Sequence, residues 1–404
     1  MGKYDALFEP LTLPCGKTLK NRFVLSPMVI NASTREGYVT EEELAYARRR
    51  AGSAGMQVTG ACYVERYGQL FEYGIAAYDD RQIPGLTRLA AAMKADGNVA
   101  ILQLTHAGMF ADTARRDYDV VYGPTKMELN TPFPHTVYAM SQRKIKQVVE
   151  AYADATRRAI HAGFDGVEVS VAQRLLIQQF FSPFSNQRED KYGTQNFENR
   201  SRIGVEIFKA VRQVIEEERA PKDFILGFRG TPEEARGSEI GYTVDEFNQF
   251  VDLLNDEVDL DYFATASWGK NIYIQKLRSK DHEGELMNEV VYKHFKGRLP
   301  IMATGGINTP GKALNSLDFS DFIGMSAPFV TEPDFVKKIA AGREEDIDLG
   351  LTEEEREDLA IPEAAFKDIV YMMDLGASLS DKTRDKMRDL SGNYHDGEDE
   401  DANA

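Results

Sequence analysis

From about Phe23 onward, short apolar runs alternate with longer segments in which apolar residues recur every three to four positions. That is the pattern of buried strands alternating with amphipathic helices. The strand candidates are Phe23–Met28, Met56–Thr59, Val99–Leu104, Gly166–Ser170, Phe224–Phe228, Tyr262–Ala266, Ile301–Thr304 and Asp321–Met325, and each leaves room for a helix before the next. Eight such units in succession predict a parallel sheet that closes on itself. The helical stretches carry their own punctuation. Ser141 precedes Ile145, Val148, Val149, Tyr152 and Ala159 as a cap, and Gly163 follows as a stop. Thr243 and Glu246 are spaced as a capping box ahead of Phe247, Phe250, Val251 and Leu254. These stripes face the sheet and are read as core.

Two regions depart from the rhythm. Met109 to Met140 is long, contains Pro124, Pro132 and Pro134, and has little helical period, so it predicts a loop excursion after the third strand. In a barrel such an insertion lies over the C-terminal mouth, as a lid or a hairpin. Beyond about Gly342 helices follow without strands. Thr352 and Glu355 form a second capping box there, and Pro362 opens another helix. The chain therefore divides into a barrel over residues 1–345, a helical C-terminal extension over 346–390, and an acidic tail over 391–404. The tail carries Asp396, Glu398, Asp399, Glu400 and Asp401 with no Lys or Arg, and is expected to be disordered and solvated, with an interaction tail as the alternative.

The 404 residues can bury a large core, and a barrel uses most of them as one domain. A net charge of −17 disfavours general binding to nucleic acid or to an anionic membrane, so any phosphate must be held by local groups. Cys15 and Cys62 stand apart without a CxxC, which suggests neither a disulfide framework nor a zinc site and fits the cytoplasm. The N-terminus lacks an apolar signal core, Ala6 stands where a myristoylation site wants Ser or Thr, and no apolar run is long enough for a bilayer. His, Asp and Glu show no metal-ligand spacing.

Residues just beyond each strand of a parallel barrel converge on one mouth. The strand ends here read Leu25-Ser26-Pro27-Met28, Gln103 through Gly108, Ala303-Thr304-Gly305-Gly306-Ile307, and Gly324-Met325-Ser326-Ala327. Gly305-Gly306 ahead of a helix starting near Thr309 would offer backbone N–H groups to a phosphate, or else simply turn the chain. Gln103 has a donor and an acceptor suited to the edge of a heteroaromatic ring; a core amide bonded to a neighbouring loop is the alternative. Arg229 needs an anionic or electron-rich partner in so buried a place, and an ion pair with Glu168 would also satisfy it. His106, His135 and, in the insertion, Tyr138 are further candidates near the mouth, whereas packing accounts for Cys62 and Trp268.

Taken together, Lys20-Asn21-Arg22 through Met28, Gln103 through Gly108, Phe180-Phe181-Ser182-Pro183 through Asp190-Lys191-Tyr192-Gly193, Glu198-Asn199-Arg200, and Ala303 through Ile307 resemble the old yellow enzymes over about residues 5–345. The resemblance implies a (β/α)8 TIM barrel that holds FMN noncovalently across its mouth. NADH or NADPH would reduce the flavin, and an electron-poor alkene or another small-molecule electron acceptor would reoxidise it. On that frame Ser26, Pro27 and Met28 lie along the isoalloxazine, Ala61 sits beneath it, and Gln103 bonds the pyrimidine edge. Arg229 faces N1 and O2, where a cation stabilises the charge of the reduced flavin, and Gly305 and Gly306 hold the phosphate. Self-association into a homo-oligomer is a further expectation from the resemblance.

The frame has departures. Where the family places a His pair, or His and Asn, and a proton-donating Tyr after strand four, this chain has Ser170, Gln173 and Leu175. Where it places Gly-Arg after strand eight, this chain has Ser326-Ala327, which leaves another cation or the hydroxyl of Ser326 to substitute for the Arg; and Val29 replaces a Cys or Thr. Two readings follow. Ser170 and Gln173 bind a different acceptor through neutral hydrogen bonds, with Arg174 as an anion anchor or as one half of a plain salt bridge. Alternatively ene reduction is abandoned and electrons pass to oxygen, quinones or a partner. The rival from another class is a catalytically degenerate flavin-binding barrel acting as a binding or interaction protein. A flavin-free lysine Schiff-base enzyme has little support, since no strand candidate ends in Lys.

Overall fold

The computed structural model describes residues 2–130, 134–375, 379 and 382–385. All eight strand candidates are strands: β1 (Phe23–Leu25), β2 (Met56–Val58), β3 (Val99–Thr105), β4 (Gly166–Val171), β5 (Ile225–Gly230), β6 (Tyr262–Thr265), β7 (Ile301–Thr304) and β8 (Phe322–Met325). They pair in parallel in sequence order, β8 returns to β1, and β3 pairs with β4, so the sheet is a closed (β/α)8 barrel. One helix follows each strand on the outside: α1 (Glu41–Arg49), α2 (Ile83–Met93), α3 (Gln142–His161), α4 (Phe197–Glu217), α5 (Val244–Val258), α6 (Met287–Phe295), α7 (Pro310–Ser316) and α8 (Phe335–Ala340). β1 ends sooner than its apolar run suggests. Ser26 still donates its N–H to the Met325 carbonyl at 2.9 Å, but Pro27 has no N–H to continue the ladder.

Alternation along the strands separates two cores. Val24, Met56, Val58, Ile101, Ile225, Tyr262, Ala264, Met302 and Phe322 fill the interior. Leu13 and Leu19, from the hairpin of Leu11–Thr12 and Thr18–Leu19, join that cluster beside the strands' first residues, and the Cys15 N–H donates to Asp261 at 2.8 Å just ahead of β6. The barrel floor is thus closed with apolar side chains. Outward residues such as Val169, Phe228 and Phe263 pack against the inner helix faces, where Phe247 and Phe250 of α5 lie 5.9 and 6.3 Å from the Phe228 ring. The α5 capping box is formed, with Thr243 accepting from the Glu246 N–H at 3.3 Å and Glu246 accepting from the Thr243 N–H at 2.8 Å.

The stretch after β3 holds more structure than its periodicity reveals. It contains a helix, Asp112–Tyr118, and a three-stranded sheet in which His135–Ala139 lies between Val121–Gly123, to which it is parallel, and Met127–Leu129, to which it is antiparallel. The helix buries only Thr113 and Ala114 and is laced by Asp112 to Arg115 and Arg116, so it has no apolar stripe to read. Beyond β8 the expected capping box at Thr352 precedes only a short 3-10 turn, Glu354–Arg356. The Thr352 hydroxyl is spent on the Glu355 carboxylate at 3.0 Å instead of on a backbone N–H. The following helix is Phe366–Leu375, which starts later than Pro362 predicts. The acidic tail over 391–404 lies outside the described residues.

The segment after β8 is fastened to the barrel. Leu359, Ile361, Phe366, Ile369, Val370 and Met373 form one cluster with Ile30, Ala32, Tyr46, Ala327 and Val330. At its centre the fully buried Arg50 donates to the Val330 carbonyl at 2.9 Å and to the Leu359 and Tyr46 carbonyls at 3.0 Å, with its guanidinium 3.5 Å from the Tyr46 ring centre. Among the described residues no helix is long and apolar enough to cross a membrane.

Glu43, in the first turn of α1, is buried with the Ser33 hydroxyl at 2.6 Å as its bonding partner, and burial pushes its carboxyl up to about 7. Its unfolded value is 4.5, so the folded chain holds the proton more tightly, and the cost of ionising it grows from pH 4.5 to about 7, where it reaches about 3 kcal/mol. Glu43→Gln should therefore raise the melting temperature at pH 8 and leave it nearly unchanged at pH 4.5. Thermal melts at the two pH values check this; an equal effect at both would disprove the linkage.

Candidate active site

The C-terminal ends of the strands surround one cavity, and the register of the barrel decides what stands in its floor. Gln103 of β3 lies opposite Glu168 of β4, Glu168 opposite Gly227 of β5, and Gly227 opposite Tyr262 of β6. Gly227 is needed there, because a Cβ would come within 2.3 Å of the Tyr262 ring. Tyr262 reaches across that gap and donates its hydroxyl to Glu168 Oε2 at 2.8 Å, while Gln103 donates from Nε2 to Glu168 Oε1 at 2.7 Å. A carboxylate accepts only, so the Gln103 amide must turn its nitrogen to Glu168, and its orientation is fixed. Gln103 lines the cavity above.

Arg229 is on the same inward face of β5, one step nearer the mouth, and lines the cavity. Its Nη1 is buried without a hydrogen-bond partner. The direct ion pair with Glu168 is not formed: among the described residues no carboxylate lies within 4.0 Å of Arg229. Burial lowers the guanidinium's pKa, and the negative charge of Glu168 acts through space to raise it. Conversely, burial pushes the Glu168 carboxyl up, and Arg229, Gln103 and Tyr262 oppose that. Two ionisable groups are thus buried at successive levels of the barrel, each stabilising the charge of the other.

Around this floor the wall contains Ser26, Pro27, Met28 and Val29 after β1, Ala61 and Tyr63 after β2, Gly305 and Gly306 after β7, and Ser326 and Ala327 after β8. Ser26 Oγ is buried without a partner. Gly305 and Gly306 both take φ of +82°, a left-handed conformation that suits glycine. Among the described residues their N–H groups donate to no protein acceptor. Free donors at the β7 turn, an unbonded hydroxyl at β1 and an unbonded guanidinium nitrogen at β5 suit a ligand with a polar heteroaromatic ring and an anionic end.

The segment after β4 is only partly at the cavity. Gln173 lines it, together with Leu175. Ser170 is buried in the strand, in register with Arg229, and is not on the wall. Arg174 is exposed and off the wall, and among the described residues no acid forms a salt bridge with it. Gln173 and Arg174 hold positive φ values of 57° and 60°, a conformation secured by the Gln173 N–H on Thr231 Oγ1 at 3.1 Å and the Arg174 N–H on Gln178 Oε1 at 2.7 Å.

Other candidates are settled by their contacts. His106 is fully buried, accepts the Gly108 N–H on Nδ1 at 2.9 Å and turns Nε2 to Glu65 at 2.8 Å, which makes it a loop clamp. His135 binds the Met109 carbonyl. Tyr138 is exposed, and no described residue between 109 and 140 lines the cavity; of the expected lid or hairpin, the insertion holds the antiparallel pair Met127–Leu129 and His135–Ala139. Cys62 is core, and burial pushes its thiol well up. Trp268, by contrast, is half exposed and on the wall, so packing does not account for it. Among the described residues no His, Cys, Asp and Glu group could hold a metal. Tyr63, Phe71, Ile272 and Met373 are wall residues that sequence reasoning missed. Met373 was beyond reach, because it arrives from the helix Phe366–Leu375, far along the chain from the strands.

Residues 6–346 match the model of the NADH:flavin oxidoreductase / NADH oxidase family. The chain belongs to this family. An uncharacterized oxidoreductase of Streptococcus pyogenes is 54% identical over 393 residues, covering 97% of this chain and 98% of that one. A probable NADH-dependent flavin oxidoreductase of Bacillus subtilis is 33% identical over 377 residues, covering 91% and 96%. Morphinone reductase solved in complex with tetrahydroNAD is 25% identical with a TM-score of 0.67, covering 84% of this chain and 91% of that one. This flavin oxidoreductase is accordingly an FMN-dependent enzyme on a (β/α)8 barrel of old yellow enzyme type.

The Tyr262 hydroxyl is one of two donors to a buried carboxylate. Tyr262→Phe should therefore cost about 2 kcal/mol of stability. A urea titration measures it, and a loss below about 0.5 kcal/mol would show that Glu168 does not depend on this bond.

Proposed function

We propose that this flavin oxidoreductase takes a hydride from NADH or NADPH and passes it through FMN to a small acceptor, an activated alkene, a quinone or oxygen. When bound, FMN supplies two-electron hydride chemistry. The observation that supports the reading best is the convergence of unpartnered polar atoms, Ser26 Oγ, Arg229 Nη1 and the Gly305 and Gly306 N–H groups, on a single cavity. Gln103, its amide oriented by Glu168, would bond the pyrimidine edge of the ring, and Arg229 would stabilise negative charge at that edge. Ala61, Pro27 and Met28 would pack on the ring, with Ser326 and Ala327 near the phosphate end.

On the open side Gln173 is the polar side chain placed to bind an acceptor's oxygen. Ser170 is level with Arg229 on the neighbouring strand but does not line the cavity, so Gln173 carries that task in this reading. Arg174 stands outside the wall and, although the charge of Glu234 reaches it through space, forms no salt bridge among the described residues, which suits an anchor for an anionic group of an acceptor or of the nicotinamide nucleotide. A proton source is also within the cavity. Tyr63 lines it and accepts the Phe71 N–H on its hydroxyl at 3.2 Å, leaving its own proton to donate. Burial holds its pKa well above the usual tyrosine value, so it stays protonated. Tyr63 thus takes the part that Leu175 cannot.

The deciding experiment is an anaerobic absorption spectrum of the FMN-reconstituted protein before and after NADH and then NADPH. Bleaching by either supports the reading; flavin that stays oxidised would instead support a barrel that binds flavin without turnover. Arg229→Ala should reduce bound flavin or slow its reduction at least tenfold, as expected when a buried charge-stabilising group is removed. Stopped-flow traces that match the wild type would remove Arg229 from its role. Tyr63→Phe should leave reduction by nicotinamide unchanged and slow reoxidation by an activated alkene about 100-fold. If both half-reactions keep their rates, the proton comes from elsewhere.

A further inference from the structure

The cation that the family places after strand eight is absent, since Ala327 stands at that position. A different cation stands beside the neighbouring turn, Gly305–Gly306 after β7. Lys312, in the first turn of α7, donates from Nζ to the Gly306 carbonyl at 3.2 Å, to Asn308 Oδ1 at 2.9 Å and to Asn271 Oδ1 at 3.4 Å. Every one of these acceptors is neutral. Among the described residues no carboxylate forms a salt bridge with Lys312, although salt bridges are frequent over the rest of this acidic surface. The ammonium is half-buried, and burial lowers its pKa with no acid acting to raise it.

A half-buried ammonium that lacks a counter-ion carries a desolvation cost that an anion would offset. Its neighbour is the turn whose two glycine N–H groups are free, and the Nζ is bonded to that turn's own carbonyl. Covalent geometry keeps the N and O atoms of one residue within about 4 Å, so the charge lies within about 7 Å of the Gly306 nitrogen. Lys312 is not itself on the cavity wall, and an anion accepting the Gly306 N–H lies within about 10 Å of its charge. Over that distance a charge acts on a dianion without touching it. We propose that Lys312 supplies, from the first turn of α7, the positive charge for the FMN phosphate that Ala327 cannot supply after β8. The proposal rests on the assignment of the Gly305–Gly306 turn to that phosphate.

The test compares FMN with riboflavin, which lacks the phosphate, on the full-length apoprotein. Flavin fluorescence titrations give both dissociation constants for the wild type, K312Q and K312R. K312Q should bind FMN about tenfold more weakly and riboflavin as the wild type does, and K312R should keep most of the FMN affinity. The wild-type preference for FMN over riboflavin should also fall with added salt more steeply than that of K312Q. Unchanged FMN affinity in K312Q overturns the proposal, and so does an equal loss for both flavins, which would mark a merely structural lysine. Should K312Q fail to fold, a wild-type preference that is constant across salt concentrations overturns it. A wild type that binds riboflavin as tightly as FMN would instead overturn the phosphate assignment of the turn, a failure visible before any variant is made.

Discussion

The pairing of β3 with β4 closes the sheet, and with it the register that sets Gln103 opposite Glu168. Everything at the mouth follows from that register. A slip of one residue would turn Glu168 outward into the helix layer and bring a valine inward, because side chains alternate along a strand. The closed ring also has no edge at which the mismatch could be relieved. Gly227 then completes the arrangement by leaving empty the place where Tyr262 crosses to Glu168. Closure of the barrel and orientation of the Gln103 amide are therefore one structural event.

Burying a carboxylate and a guanidinium at successive levels of a barrel is costly unless their remaining hydrogen-bonding capacity is satisfied. Here the satisfaction is uneven. Glu168 has a donor on each oxygen, whereas Arg229 keeps an unbonded nitrogen. The carboxylate is a settled structural element, and the guanidinium is left with capacity toward the cavity. Because the two are not in contact, Glu168 can hold Arg229 in its charged state without occupying the groups that face the mouth. The apolar floor of Leu13, Leu19 and Met302 keeps water from screening this field from below.

The barrel was legible because every strand is an apolar run and most of its helices carry an apolar stripe, so period alone separates them. Gln103, Arg229, Gly305 and Gly306 were legible for a further reason: they are polar or glycine residues at the ends of apolar strands, where packing alone does not call for them. The helix Asp112–Tyr118 was not, since charge pairs hold it in place of a stripe. Ser170, read from its position in a motif, is level with Arg229 but buried off the cavity wall. Tyr63 and Met373 belong to the wall through tertiary placement, one in the two-residue strand Cys62–Tyr63 and the other in a distant helix, and neither has a local pattern to announce it. Lys312 is of the same kind: the capped start of α7 predicts its helix, but only the fold reveals that it meets the turn before it without an acid.

Met373 on the cavity wall has a consequence for the order in which the protein is made. Translation delivers the strands first, and β1 to β8 can pair once β8 has left the ribosome. At that moment the wall still lacks Met373, and Ile30, Ala32 and Val330 have yet to be covered by the segment that Arg50 fastens. A barrel without that segment would expose an apolar patch beside its mouth. The cavity has its full wall only once the segment carrying Met373 is in place.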